Sequence, residues 1–369
     1  MPAAIIALAL AFSAGAGARA SFRARAVAYS YLNSSGLASR PLTFGIYPGG
    51  AAGTVGPSGQ LKPEDPAKRL QALEELRPAS VPFVLHLYAS YTGPRGWSAA
   101  QQLGQQIAQY TGAGFEIELV LTYRPDGGGS AADVSGFVDF VHAALSSFGA
   151  NRRFVALQVT NEANISGAPN AADGYYAGAQ DALIAGVIAA KQQILASGYG
   201  QVKVGFNWAY SNGDSGFWRQ LGAQGGASFV RSLDWVGLDV YPGTWGPESP
   251  GSLPAATAST MQTALASLRT NYLPLAGIPA RVALHVSENG YPTGPGRTEQ
   301  MQVQVMRAAI NTVEADRALY NVTDYRWFDL RDAASASSSF EDRYGLMTDA
   351  YTPKLAFAVY RSLVAELGV

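Results

Sequence analysis

The chain has no cysteine. Disulfides, thiolate metal sites and a cysteine nucleophile are thereby excluded. Histidine is scarce: His86, His142 and His285 are the only three. With no HExxH motif and no close His-x-His spacing, no metal site is expected. Charge is scarce as well, at 14% of residues with a net charge of −1. That balance offers no electrostatic basis for binding nucleic acid or an anionic membrane. No run reaches the roughly 18 uninterrupted apolar residues of a spanning helix. No strand-to-helix turn carries GxGxxG or a P-loop, and no cofactor is expected. A GxSxG elbow is missing too, which weakens Ser-His-Asp hydrolysis.

What the chain does have is core-forming material. Of its 369 residues, 48% are hydrophobic, and 41 glycines and 20 prolines suit many loops. Residues 3–12 form an apolar run followed by small residues with Ala-x-Ala spacing, as in Ala14-Gly15-Ala16. That resembles a signal peptide, although no Lys or Arg precedes it. The sequence predicts a signal peptide over 1–20, an N-terminal extension over 21–40 and one catalytic domain over 41–369. It also predicts secretion and a monomer.

Within 41–369 the pattern alternates. Strands are predicted at 42–47, 82–88, 115–122, 154–162, 202–208, 235–240, 282–290 and 325–330, each a short apolar or β-branched run. Helical stripes follow them, such as Val134, Phe137, Val141, Leu145 and Phe148. Asp65-Pro66 supplies a cap and a first-turn proline for the first helix. Strand starts fall roughly 30 to 50 residues apart, the period of a βα unit. Eight such units predict a closed (β/α)8 TIM barrel, with an open doubly wound sheet as the main alternative.

Two of these strands end in acids: Val159-Thr160-Asn161-Glu162 and Val286-Ser287-Glu288-Asn289. A carboxylate at the end of a buried strand has no packing use, because desolvating it is costly unless it is paired. In a barrel all C-terminal strand ends face one mouth. The other ends carry Tyr47, His86, Tyr88, Arg124, Asn207, Trp208, Asp239, Tyr241, Trp327 and Asp329. Aromatic faces pack on sugar C–H faces, and amides and acids bind hydroxyls, so a carbohydrate is the expected partner. Two carboxyls about 5–5.5 Å apart fit double displacement; roughly 6.5–9.5 Å fits single displacement.

This arrangement resembles the clan A glycoside hydrolases, the large retaining (β/α)8 group. Asn161-Glu162 matches the end of the clan's strand four, and Glu288 in Ser287-Glu288-Asn289-Gly290 the end of strand seven. Asp239-Val240-Tyr241-Pro242 matches strand six, and Trp327 a sugar-stacking tryptophan on strand eight. The resemblance implies a glycosidase acting on a β-linked glycan or glycoside with retention. It implies Glu162 as acid then base, with a raised pKa, and Glu288 as nucleophile. Asn161 would bind the sugar 2-hydroxyl, Tyr241 would donate to Glu288 or orient it, and Trp327 would floor the central sugar site. Arg124, His86, Asn207, Trp208 and Trp245 are expected to line the substrate site, although His86 also reads as a satisfied core histidine and Trp327 as a core tryptophan. An arginine is frequent in the clan near the end of strand two. Here that strand offers His86 and Tyr88 instead, which leaves open what holds the nucleophile ionised. A transglycosylase, or a silent barrel that binds glycans, would use the same residues.

Overall fold

In the computed structural model the chain is described over residues 40–50, 61–93, 100–125, 130–169, 171–247 and 249–369. The expected signal peptide, residues 21–39 of the extension and the loop Gly127-Gly128-Gly129 lie outside the described residues.

The eight strands close into a barrel in sequence order, every neighbouring pair parallel. They are β1 (Thr43–Ile46), β2 (Phe83–Tyr91), β3 (Glu116–Tyr123), β4 (Phe154–Val159), β5 (Lys203–Ala209), β6 (Trp235–Asp239), β7 (Ala283–Asn289) and β8 (Val322–Trp327). The surrounding helices are α1 (Pro66–Leu76), α2 (Ala100–Gly112), α3 (Val134–Phe148), α4 (Ala179–Ser197), α5 (Ser215–Ser232), α6 (Leu253–Ser267, prolonged through Leu275), α7 (Glu299–Tyr320) and α8 (Leu355–Leu367). Among the described residues no helix is long and apolar enough to cross a membrane.

Local chemistry sets the boundaries. Asp65 accepts from the Ala67 and Lys68 amides to start α1, and Asp133 accepts from Gly136 to start α3, each satisfying orphan donors of a first turn. The predicted stripe of α3 faces the core: Phe137, Val141 and Leu145 are wholly buried, Phe148 is buried and Val134 half-buried.

Element bounds differ from expectation: β2 runs on to Tyr91 and β4 ends at Val159, against predicted ends at 88 and 162. A short helix is predicted near Phe217; α5 instead runs to Ser232, broken by non-helical Gly226 in a glycine-rich stretch that reads as loop. Strand β8 starts at Val322, three residues before the predicted Tyr325. Helix α7 continues to Tyr320, and Asn321 turns the chain in a left-handed conformation (φ 56°) straight into the strand.

Side chains alternate across each strand. On the axial side of the floor stand His86, Glu118, His285, Asp324 and Arg326, which contact one another. The opposite side packs on helices, as Trp327 does on Tyr360 of α8, with ring centroids 6.3 Å apart. The floor is thus ionic, where barrels of this kind more often stack branched aliphatics. Gly45 makes room for it: a Cβ there would meet Val84 O at 2.3 Å and Arg326 Cδ at 2.7 Å.

Candidate active site

A cavity of about 520 Å³ opens at the C-terminal ends of the strands. Glu162, Glu288 and Asp239 meet on its wall, one carboxylate oxygen of each lying within 4.8 Å of the others. Asp239 and Glu288 are register partners on β6 and β7, while Glu162 arrives from the end of β4.

The segment that delivers Glu162 is bent and pinned. Thr160 (φ 66°) and Glu162 (φ 49°) both take left-handed backbone conformations, which cost energy for residues other than glycine and persist only where the surroundings enforce them. Here they do. The Thr160 amide donates to Leu121 O at 2.9 Å, the Asn161 amide to Asp173 Oδ2 at 2.7 Å and the Glu162 amide to Asn207 Oδ1 at 2.8 Å.

Asn207 ties the strand ends together. Its Nδ2 donates to Asn161 Oδ1 at 2.8 Å and also to Asp239 Oδ2. Ser287 Oγ completes the frame by donating to Asp239 Oδ1 at 2.6 Å. Glu288 in turn receives two phenols: Tyr241 donates to Oε2 at 2.6 Å and Tyr88 to Oε1. Burial and the Glu288 charge push both phenols well above the ordinary tyrosine range, so both keep their protons.

The carboxyls are electrostatically unequal. Burial, then the charges of Glu288 and Asp173, pushes Glu162 well above the ordinary glutamate range. Asp239 is pushed up by burial and by Glu288 and Glu162, against the hydrogen bonds from Ser287 and Asn207. Burial also pushes Asp173 up to about 7, although the Tyr123 and Asn161 amides and Arg124 oppose it. Glu162 and Asp239 are thus both pushed toward the protonated form, beside a Glu288 that accepts from two phenols. The three oxygens are also close enough to share a cation, but a cation there would displace hydrogen bonds that Asp239 and Glu288 already accept.

The raised Glu162 has a stability consequence. Its folded-state pKa exceeds the unfolded one, so between the two the folded chain binds more protons and stability falls as pH rises. Glu162→Gln is therefore expected to melt at a higher temperature than the parent near neutral pH, with the gap closing toward about pH 4. Calorimetry across that range checks it; a variant that melts lower at pH 7 contradicts the raised pKa of Glu162.

The other predicted residues divide. Asn161, Arg124, Tyr241 and Trp245 line the cavity. Asn161 Nδ2 donates to Ala171 O at 2.9 Å, leaving one amide hydrogen uncommitted. Arg124 Nε stands 3.8 Å from Asp173 Oδ1. Trp245, 50% exposed, lies at the rim against Phe340, ring centroids 5.4 Å apart.

Four residues expected to touch substrate do not line the cavity. Trp327 is fully buried, because strand parity turns it toward α8; Phe328, the next residue, lines the cavity in its place. Trp208 is fully buried too, with Nε1 donating to Asp214 at 2.8 Å, since Asn207 takes the axial side of β5. Asn207 acts beneath the surface as the brace described above. His86 lies below Tyr88, 1% exposed. At the end of β2, where the sequence offers no arginine, Tyr88 donates to Glu288 Oε1. Asp239, a predicted strand-end residue, is the third carboxylate of the cluster, buried and hydrogen-bonded by Ser287 and Asn207.

No protein-family model matches the chain, and no curated protein matches it. Solved structures do. A family 1 β-glucosidase from Thermotoga maritima, in complex with isofagomine lactam, superposes with a TM-score of 0.56 at 15% identity, covering 81% of this chain and 86% of its own. A rice β-glucosidase gives 0.59 at 13% identity, covering 89% and 98%. A structure of fungal β-1,4-galactanases gives 0.56 at 12% identity, covering 87% and 99%. At such identities the likeness establishes the (β/α)8 fold.

Proposed function

We propose that the chain is a retaining glycoside hydrolase that cleaves a β-linked glycan or glycoside. The observation that carries this reading is the pair Glu162 and Glu288, with carboxylate oxygens within 4.8 Å across one cavity, the first raised by burial and the second's charge, the second accepting from two phenols. That limit on one pair of oxygens accommodates the about 5–5.5 Å spacing of carboxyl groups used in double displacement. The β-glucosidases and β-1,4-galactanases that share the fold support the β-linkage.

In the first step Glu288 attacks the anomeric carbon. The bond to the leaving group breaks, and Glu162 gives its proton to the departing oxygen. The glycosyl ester on Glu288 removes that carboxylate's charge, which lowers the pKa of Glu162 for its second role. Glu162, now ionised, takes a proton from water as the water attacks the same carbon and Glu288 leaves. Both acids return to their starting states. The aromatic walls, Tyr47, Phe328 and Tyr344 among them, offer faces for the sugar ring. Secretion and a monomeric state belong to the same proposal; secretion rests on the apolar run at residues 3–12 of the sequence.

The test is NMR of the first-formed sugar from a panel of aryl β-glycosides and soluble β-glycans. The β-anomer is expected to appear first and mutarotate later. An α-anomer formed first removes the two-step mechanism.

A further inference from the structure

A charge assembly in the barrel interior runs up to the nucleophile. His86 and Glu118 are register partners on β2 and β3; His285 and Asp324 are partners on β7 and β8. Arg326 donates to Glu118 Oε2 at 3.0 Å and to Asp324 Oδ1 at 2.8 Å. His285 Nε2 lies 3.1 Å from Asp324 Oδ2. His86 Nδ1 lies 2.6 Å from Glu118 Oε1, and its Nε2 lies 3.0 Å from the Tyr88 oxygen. Tyr88 then reaches Glu288.

The protons along this chain can be counted. An ionised Glu288 only accepts. Tyr241 spends its one hydroxyl proton on Oε2, and Tyr88 spends its one on Oε1. The Tyr88 oxygen can then only accept from His86 Nε2, so Nε2 carries a hydrogen. At the other end, burial raises Glu118, but the Arg326 charge foremost overcomes it and holds that carboxyl well below the usual range. Glu118 is therefore an acceptor as well, and Nδ1 carries a hydrogen too.

We propose that His86 is a doubly protonated imidazolium that, acting through Tyr88, supplies the positive charge keeping Glu288 ionised. Charge balance agrees. His285 Nε2 has Asp324 at hydrogen-bond distance, whereas its Nδ1 stands 3.8 Å from Glu118 Oε2, too far for a hydrogen bond, so one proton satisfies its hydrogen bonding. The two cations, Arg326 and His86, then offset the two anions, Glu118 and Asp324. A neutral His86 would leave a net negative charge directly under a second carboxylate, where nearby like charge disfavours ionisation. His86 is a positioning residue: it is 1% exposed and touches Tyr88, not the cavity.

The inference rests on the reading of Glu288 as nucleophile, so the test has an arm that needs no turnover. In the full chain labelled with 15N-histidine, the three histidine rings are resolved by NMR and assigned with His142→Gln and His285→Gln. At pH 7 the His86 ring is expected to show two protonated nitrogens; one bare nitrogen overturns the proposal. In the kinetic arm, His86→Gln is expected to move the acidic limb of kcat/KM upward by about one pH unit and to lower kcat more than it changes KM. A folded variant whose acidic limb stays put also overturns it. If the parent chain cleaves no glycoside, the proposed function falls while the NMR arm still decides the state of His86.

Discussion

Replacing Glu288 by alanine is expected to lower kcat by about 10⁴-fold or more, the scale on which removal of a nucleophile acts. The loss is large because no other side chain can take over. Asp239 is adjacent, but burial and its neighbours push its carboxyl up, and its oxygens are held by Ser287 and Asn207. Tyr88 and Tyr241, buried beside the emptied position, keep their protons and are poor nucleophiles. The truncation leaves space in the cavity, with two phenol donors facing it. A small anion such as azide fits that description and is expected to restore turnover of aryl β-glycosides. It attacks from the face the carboxylate used, so the product is an α-glycosyl azide. Circular dichroism confirms that the variant is folded. A folded Glu288→Ala with activity within tenfold of the parent removes Glu288 from the mechanism.

The two acids were legible in the sequence because each breaks a rule at a place where it can be seen. An apolar β-branched run that ends in a carboxylate conflicts with burial unless the carboxylate has work to do. The eightfold alternation gave the barrel, and the barrel gave a common mouth. What could not be read was which of two adjacent residues faces that mouth. Asn207 and Trp208 are both plausible on composition, as are Trp327 and Phe328, and strand parity decides between them. Parity on β8 depends on where α7 stops, which Asn321 sets by its left-handed turn. A shift of one residue exchanges every inward side chain for an outward one. The interior ion assembly was also hidden, since its members come from β2, β3, β7 and β8. A signal was nonetheless present: Glu118 sits among Ile117, Leu119 and Val120, and Arg326 between two aromatics. Opposite charges embedded singly in apolar strands call for each other, because neither can be buried alone.

Glu162→Gln is expected to give a loss that depends on the leaving group, which separates its role from that of Glu288. The amide cannot donate a proton to a departing oxygen as the acid does. For an alkyl glycoside or a sugar leaving group, cleavage should slow by about 10²–10⁴-fold, the usual weight of general acid catalysis. A 2,4-dinitrophenyl glycoside leaves without a proton, so its first step should keep most of its rate. The second step then lacks a base. The glycosyl ester on Glu288 should accumulate, seen as a burst of dinitrophenolate and as a mass increase on the peptide containing Glu288. Azide needs no base and should release the ester as a β-glycosyl azide, opposite in configuration to the product rescued from Glu288→Ala. The two variants therefore read the two faces of one anomeric carbon. Equal losses on both substrates, without a burst, contradict the assignment of Glu162 as acid and base. The electrostatics point the same way: burial and the Glu288 charge hold Glu162 protonated in the resting state, and esterification of Glu288 removes one of those causes when the base is needed.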